Sequence, residues 1–281
     1  MTSLTLVPLG GLCNRLRMIQ SGLTLSAIAK AEVQIVWVRN QELGAAFTDM
    51  FMPISHESLS ETSRFTFTET ENNWRYALSR KRNLFLPSIW QRYRYDLRIT
   101  DKHIPDGGLP NIISDISGKR VLIQSGLGFY PCNDHSFTEY FKPNEAVREL
   151  IQETSRNITP HTIGLHIRRS DNTKAIRYSP PECFEDIIRK EIERDPLTTF
   201  LLATDDETIK QRFLRTFPDQ VITSPFKADR TSVQGMQQAA AELFALGMCR
   251  RFYGSYWSSF SDTVVAMLPD GAGNIVRYDT C

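Results

Sequence analysis

A surplus of either charge, metal-type cysteine pairs and long apolar runs are all missing from this chain. Its 281 residues carry 33 Lys and Arg against 32 Asp and Glu, a net charge of +1. A dedicated nucleic-acid binder needs a basic excess to neutralise phosphates, so that class is excluded and any anion site must be local. The five cysteines, at 13, 132, 183, 249 and 281, are odd in number and form no C-x-x-C pair. Neither a disulfide framework nor structural zinc is expected, and a reducing, cytoplasmic setting fits best. No apolar stretch is long enough to span a bilayer, and no basic segment leads into an apolar run at the N-terminus. No integral membrane segment is expected, which leaves at most a peripheral association with a membrane.

Several catalytic signatures are missing too. The histidines at 56, 103, 135, 161 and 166 lie in no nucleophile context, and there is no G-x-S-x-G elbow, P-loop, G-x-G-x-x-G turn or Asp-x-Asp pair. Dehydrogenase, kinase and triad-hydrolase chemistry lose their support. What remains is an ordinary globular composition, 41% hydrophobic and 23% charged, long enough for one large domain or two of about 140 residues.

Periodicity predicts a strand over Leu4–Leu9, a Gly10-Gly11 turn, an amphipathic helix from Asn14 to Lys30 and a strand over Val33–Val38. Such a β-loop-α-β opening builds parallel sheets. The region from about 55 to 118 is less regular. It holds an Arg/aromatic cluster between Trp74 and Arg98 that suits either a sugar or phosphate surface or a helix with buried rings and solvated arginines. A strand at Val121–Ser125 and a helix from Pro143 to about Arg156 precede a break at 157–161. A second alternating series follows, with strands at Thr162–Ile167, Thr199–Ala203, Val221–Ile222 and Arg251–Gly254, and helices near Pro181–Glu193, Glu207–Phe217, Ser232–Met248 and Ser259–Leu268. Two tandem β/α domains are expected, over 1–157 and 158–281.

Four segments fall where strands run into helices. In His166-Ile167-Arg168-Arg169-Ser170-Asp171, two guanidinium groups leave a strand's carboxyl end, where ligands bind in open α/β sheets. Arginine's planar fork suits phosphate, although a solvated pair with Asp171 as a turn residue fits the pattern equally. Ser258-Ser259-Phe260 opens a helix, which is either a diphosphate seat or a plain N-cap. Asp205-Asp206 follows another apolar strand and suits a metal, a nucleoside or the cap of the next helix. At the N-terminus, Gly10 and Gly11 let a ligand approach the backbone, with Asn14 and Arg15 projecting from the first helical turn.

Taken in order, these segments resemble the fucosyltransferase superfamily of α1,2-, α1,6- and protein O-fucosyltransferases. His166 to Asp171 looks like its H-x-R-R-x-D motif, and Ala203-Thr204-Asp205-Asp206 looks like its second motif. Glu242 to Ser261 is similar to the third, with Glu242 where an aspartate is usual. Gly10 to Arg17 resembles the G-G-x-G-N-[RQ]-L turn, with Cys13 in place of a glycine, a departure expected to restrict the backbone.

The resemblance implies an α/β fold of the GT-B type, two Rossmann-like domains facing a cleft, with the acceptor side in the first and the GDP-sugar in the second. It implies an inverting, metal-independent glycosyltransferase of glycan biosynthesis that moves fucose or a related sugar from a GDP-sugar to an oligosaccharide or glycoconjugate hydroxyl, with no cofactor. Arg168 would grip the β-phosphate, with Arg169, Asp171 and Asp205 in support. Ser258, Ser259 and Phe260 would seat phosphate, and His166 and Glu242 would contact the nucleoside. Gly11, Asn14 and Arg15 would face the donor sugar from the other domain, Asn14 beside the reaction itself. The α1,6 branch carries a glutamate in the loop after its arginine pair, whereas Asn172–Tyr178 holds no carboxylate, and Asp49 and Glu42 are weak substitutes for a base. The alternative is a catalytically idle nucleotide- or glycan-binding protein on the same fold.

Overall fold

The computed structural model describes residues 1–54, 65–71, 86–132 and 136–279. They fold as mixed α/β with two sheets, each of five parallel strands. The chain divides into two compact units, Met1–Asn144 with Arg230–Met236, and Glu145–Asp229 with Gln237–Cys281.

In the first unit β1 (Ser3–Pro8), α1 (Leu12–Ala29), β2 (Glu32–Arg39), β3 (Phe65–Glu71), α2 (Ser88–Arg94), β4 (Leu97–Thr100), α3 (Ile113–Ile116), β5 (Arg120–Ser125) and α4 (Ser136–Tyr140) follow in chain order. The sheet order is β3-β2-β1-β5-β4. The central strand β1 buries Leu4, Leu6 and Val7, as a parallel strand covered on both faces must. Helix α1 lies close against it. A Cβ on Gly22 would stand 2.1 Å from Leu6 Cδ1, so only glycine allows this approach. The helix stops at Lys30, whose left-handed backbone ends the ladder. Beyond β2, Phe47 packs on Trp37, Phe51, Phe67 and Phe141, and Trp37 Nε1 donates to Ala45 O at 3.0 Å.

The second unit runs α5 (Glu145–Ser155), β6 (Thr162–Ile167), α6 (Thr173–Tyr178), α7 (Pro181–Arg194), β7 (Thr199–Thr204), α8 (Glu207–Thr216), β8 (Val221–Thr223), α9 (Val233–Leu246), β9 (Arg251–Ser255), α10 (Ser259–Met267) and β10 (Gly273–Val276), with the first turn of α9 belonging to the other unit. Every residue of β6 is buried, and Ile163, Leu165 and Ile167 meet Phe184, Ile188, Phe200 and Phe213 in one core. The sheet order β10-β9-β6-β7-β8 sends the chain to one side of β6 through β7 and β8, then back to the other through β9. The gap between the carboxyl ends of β6 and β9 is therefore the switch point where α/β sheets take ligands.

The expected strands and helices are present to within two residues at most ends. Periodicity missed β3, β4, β10, α3, α4 and α6, three short or polar edge strands and three helices of six residues or fewer. Cys183 is disulfide-bonded, against the expectation of reduced cysteines, while Cys13, Cys132 and Cys249 keep their thiols. Cys13 sits buried inside α1 without a positive φ, so it imposes no backbone restriction on the turn. Of the Arg/aromatic cluster, Trp74 through Phe85 lies outside the described residues.

Candidate functional site

Arg168 leaves β6 at the switch point. Its backbone N–H donates to Ser255 Oγ at 3.0 Å, and that hydroxyl donates to His166 O at 3.2 Å, so the ends of β6 and β9 are tied by one buried serine. On the other side Thr204 Oγ1 donates to Ile167 O at 2.7 Å and fixes the end of β7. The Arg168 guanidinium is held by Asp205, 2.8 Å from Nη1, and by Asp171 on Nη2. Asp205 also accepts the backbone N–H of Arg169 at 2.7 Å and the Ser170 hydroxyl. Burial pushes its carboxyl up, but the Arg168 guanidinium, the Ser170 hydroxyl and the Arg169 N–H outweigh that and hold it below its ordinary value. A carboxylate kept ionised beside Arg168 fixes the direction of the guanidinium.

The two aspartates divide the work that the sequence left open between them. Asp206 caps α8, accepting from Thr208 N at 2.8 Å and Ile209 N at 3.2 Å, while Asp205 turns to the arginine. Arg169 points away towards α6, where Nη1 donates to Ile176 O at 3.1 Å. His166 is buried, stacked on Phe260 at 4.5 Å, and shares a 2.8 Å hydrogen bond between Nδ1 and Ser261 Oγ. Burial, reinforced by Arg168, lowers its pKa to about 3, so it is neutral at physiological pH.

Across the switch point, Ser258 stands at the N-cap of α10 without capping it through its side chain. Its hydroxyl and the first helical N–H groups, which have no acceptor within the helix, are thus available to an anion. Sequence reasoning missed what aims this turn. Trp257 holds φ +57°, a strained value for a bulky residue, and Asn172 Nδ2 donates to its carbonyl at 2.6 Å while Asn172 Oδ1 caps α6. Lys174 Nζ lies 3.4 Å from the centre of the exposed Trp257 ring. The Asn172 cap had a sequence signal, an Asn before a short helix; the left-handed Trp257 had none.

The structure therefore brings His166, Arg168, Arg169, Asp171, Asp205, Ser258, Ser259 and Phe260 to one sheet edge. Glu242 has other neighbours. On α9, its carboxyl is pushed up to about 7 by burial, offset in part by the Lys210 ammonium, Gln238 and Ser224. Gln238 and Ser224 line a cavity of about 220 Å³ with Leu201, Ile222, Phe226 and Arg156. Both polar atoms of the buried Gln238 amide lack a hydrogen-bond partner.

Gly11, Asn14 and Arg15 belong to the first unit. Gly10 has φ +80°, and a Cβ there would meet Asn14 Nδ2 at 2.7 Å, so the turn needs glycine twice over. Gly11 is the N-cap of α1 and Asn14 is half-buried beside the turn. Arg15 is fully buried. It donates from Nε to Gly10 O at 2.7 Å, from Nη1 to Val38 O at 2.6 Å and from Nη2 to Asn40 Oδ1 at 2.9 Å, and lies over the Trp37 ring. Burial lowers its pKa to about 10, which leaves it charged at neutral pH. Those bonds make it a strut between the glycine turn and the end of β2, and its full burial keeps it from projecting out of the helix. Among the described residues no three His, Cys, Asp or Glu side chains gather as metal ligands.

No protein-family profile matches the chain, and no curated protein matches it in sequence. Solved structures do. The fucosyltransferase NodZ from Bradyrhizobium superposes with a TM-score of 0.63 at 16% identity, over 99% of this chain and 96% of that one. A mutant of Arabidopsis thaliana FUT1 in complex with GDP gives 0.59 at 12% identity, over 96% and 72%. POFUT1 in complex with GDP-fucose gives 0.53 at 10%, over 98% and 97%. The chain has the fold of these solved fucosyltransferases.

Proposed function

We propose that this protein is a glycosyltransferase that moves fucose, or a related sugar, from a GDP-sugar to a hydroxyl of an oligosaccharide or glycoconjugate, with inversion and without a metal. In this reading the two units are the Rossmann-like halves of a GT-B enzyme facing a cleft, and Glu145–Asp229 with Gln237–Cys281 carries the donor. The observation that carries the proposal is the Arg168 clamp at the switch point, across from the uncapped start of α10. The structural relatives crystallised with GDP or GDP-fucose support the choice of nucleotide.

The clamp has the right asymmetry for the task. Asp205 is mostly buried and oriented by three donors, whereas Asp171 is about half exposed, so its pairing with Arg168 contributes little. A β-phosphate displaces Asp171 from Nη2 while Asp205 keeps Nη1 in place. As the acceptor oxygen bonds to the anomeric carbon it releases its hydroxyl proton to solvent, while the bond to the β-phosphate oxygen breaks and GDP leaves with the electron pair. A fixed guanidinium and the α10 N–H groups stabilise that growing charge in the way a divalent cation does elsewhere. The nucleoside falls to His166 and Glu242, with the Gln238 side chain beside the latter.

Arg168→Ala is expected to abolish turnover of GDP-fucose and the rise in melting temperature on GDP addition, while leaving the unliganded melt near wild type. Near-wild-type turnover in that variant overturns the assignment. A thermal-shift panel of GDP, UDP, ADP and CMP should give a response to GDP alone. GDP binding by calorimetry without transfer or donor hydrolysis would favour the idle binder instead.

A further inference from the structure

Helix α2 is amphipathic the wrong way round. Among its seven residues only Gln91 is buried, held by Nε2 donating to Leu86 O at 2.8 Å and to Gln124 Oε1 at 3.2 Å. Ile89, Trp90 and Tyr93 are 80%, 62% and 81% exposed. At about 100° per residue, these three occupy one sector of the helix roughly 100° wide, on the side away from Gln91. Arg92 and Arg94, both exposed, fall on the two flanks of that sector. The helix is anchored from below, where Tyr95 packs with Val7, Val36, Val38 and Leu122 and Leu86 adds to the cluster. Among the described residues nothing covers this outward apolar face, which makes it a contact surface.

Charge selects the occupant. From Asn72 to Tyr95 the sequence holds Arg75, Arg80, Lys81, Arg82, Arg92 and Arg94 and no acidic residue, in a chain whose net charge is only +1. Six of the protein's positive charges fall within these 24 residues of sequence, and the remainder of the chain is net negative. A second copy docking face to face would bring like charges together. A polyanion such as nucleic acid would satisfy the arginines but offers nothing to an exposed isoleucine. A membrane interface satisfies both, since Trp and Tyr rings seat at the headgroup level, an aliphatic side chain enters the acyl boundary, and Arg meets lipid phosphate.

We infer that the outward face of α2, led by Ile89, Trp90 and Tyr93 and flanked by Arg92 and Arg94, docks this protein on an anionic lipid surface. The contact is one of the surface, and no helix among the described residues is long and apolar enough to cross a bilayer. It does not depend on the proposed reaction.

The test is flotation of the purified full chain with vesicles of phosphatidylcholine alone and of phosphatidylcholine with about one third phosphatidylglycerol. Wild type is expected to float with the anionic vesicles only, and to lose most of that binding when salt is raised severalfold. Trp90→Ala/Tyr93→Ala and, separately, Arg92→Gln/Arg94→Gln should each weaken it by about tenfold. Both variants should keep the wild-type melting temperature, because the altered side chains are exposed. Three results would overturn the inference: no flotation with anionic vesicles, flotation unchanged in both folded variants, or wild type sedimenting as a dimer that the variants convert to monomer. Binding of the patch to an oligonucleotide or a sulfated glycan without vesicle binding would overturn it equally.

Discussion

Glu242→Gln turns a buried carboxyl into a measurable pH dependence. In the folded chain the Glu242 carboxyl is pushed up to about 7 from an ordinary 4.5. The folded state thus holds a proton that the unfolded state has already released, and stability must fall as pH rises from 4.5 to 7. With these two values, the lost stability is about 0.8 kcal/mol at pH 5 and about 3.3 kcal/mol at pH 8, a difference of about 2.5 kcal/mol. The carboxyl is buried but the residue as a whole keeps some exposure, which trims the figure to about 1 to 2.5 kcal/mol. Urea unfolding of wild type and Glu242→Gln, followed across about pH 5 to 8, reads it directly. The glutamine cannot ionise, so its curve should be flatter than that of wild type by this amount and lie above it at the alkaline end. Parallel curves for the two proteins would refute the buried, proton-retaining carboxyl. The same experiment with GDP bears on the nucleoside: a base that donates N–H groups to the ionised carboxylate should stabilise wild type more at pH 8 than at pH 6, and Glu242→Gln should lose that trend.

Two further substitutions test the first unit. Arg15→Ala strips three hydrogen bonds from a fully buried position, two of them to the carbonyls of Val38 and Gly10, so it should cost about 3 kcal/mol or more in thermal or chemical unfolding. If it instead left stability intact and changed only donor turnover, Arg15 would be a sugar contact after all. Gly10→Ala forces a side chain into a left-handed position against Asn14 and should lower stability by about 1 to 3 kcal/mol, read as a drop in melting temperature; an unchanged melt would mean the turn tolerates another backbone path.

The order of strands and helices could be read from the sequence because both sheets are parallel and buried, so β1, β2, β6 and β7 appear as apolar runs separated by helical spacing. Edge strands follow a weaker rule. β3 reads Phe-Thr-Phe-Thr-Glu-Thr-Glu, with most of its described side chains open to solvent, and carries too little hydrophobic signal to separate from a polar loop. At the site, the arginine pair was visible but the difference between its members was not. Consecutive residues leave a strand on opposite sides, so Arg168 meets Asp205 while Arg169 folds back on Ile176 O. The burial of Arg15 was equally hidden, because two of its three acceptors come from the end of β2, more than twenty residues away. Trp257 in a left-handed conformation goes against its own propensity, and only the Asn172 contact explains it.

The path of the chain through its two units also limits how the molecule can be cut. Arg230–Met236 returns to the first unit after the chain has already entered the second, and there the Gly44 N–H donates to Arg230 O at 2.8 Å. A fragment ending at Asn144 would carry all five strands of its sheet yet leave that amide without its acceptor and the segment's contacts unmade. Each unit is therefore discontinuous in the gene, and no single break point separates one from the other. The two must be translated as one polypeptide before either is complete, which ties the assembly of the glycine turn's unit to synthesis of the chain at least as far as Met236.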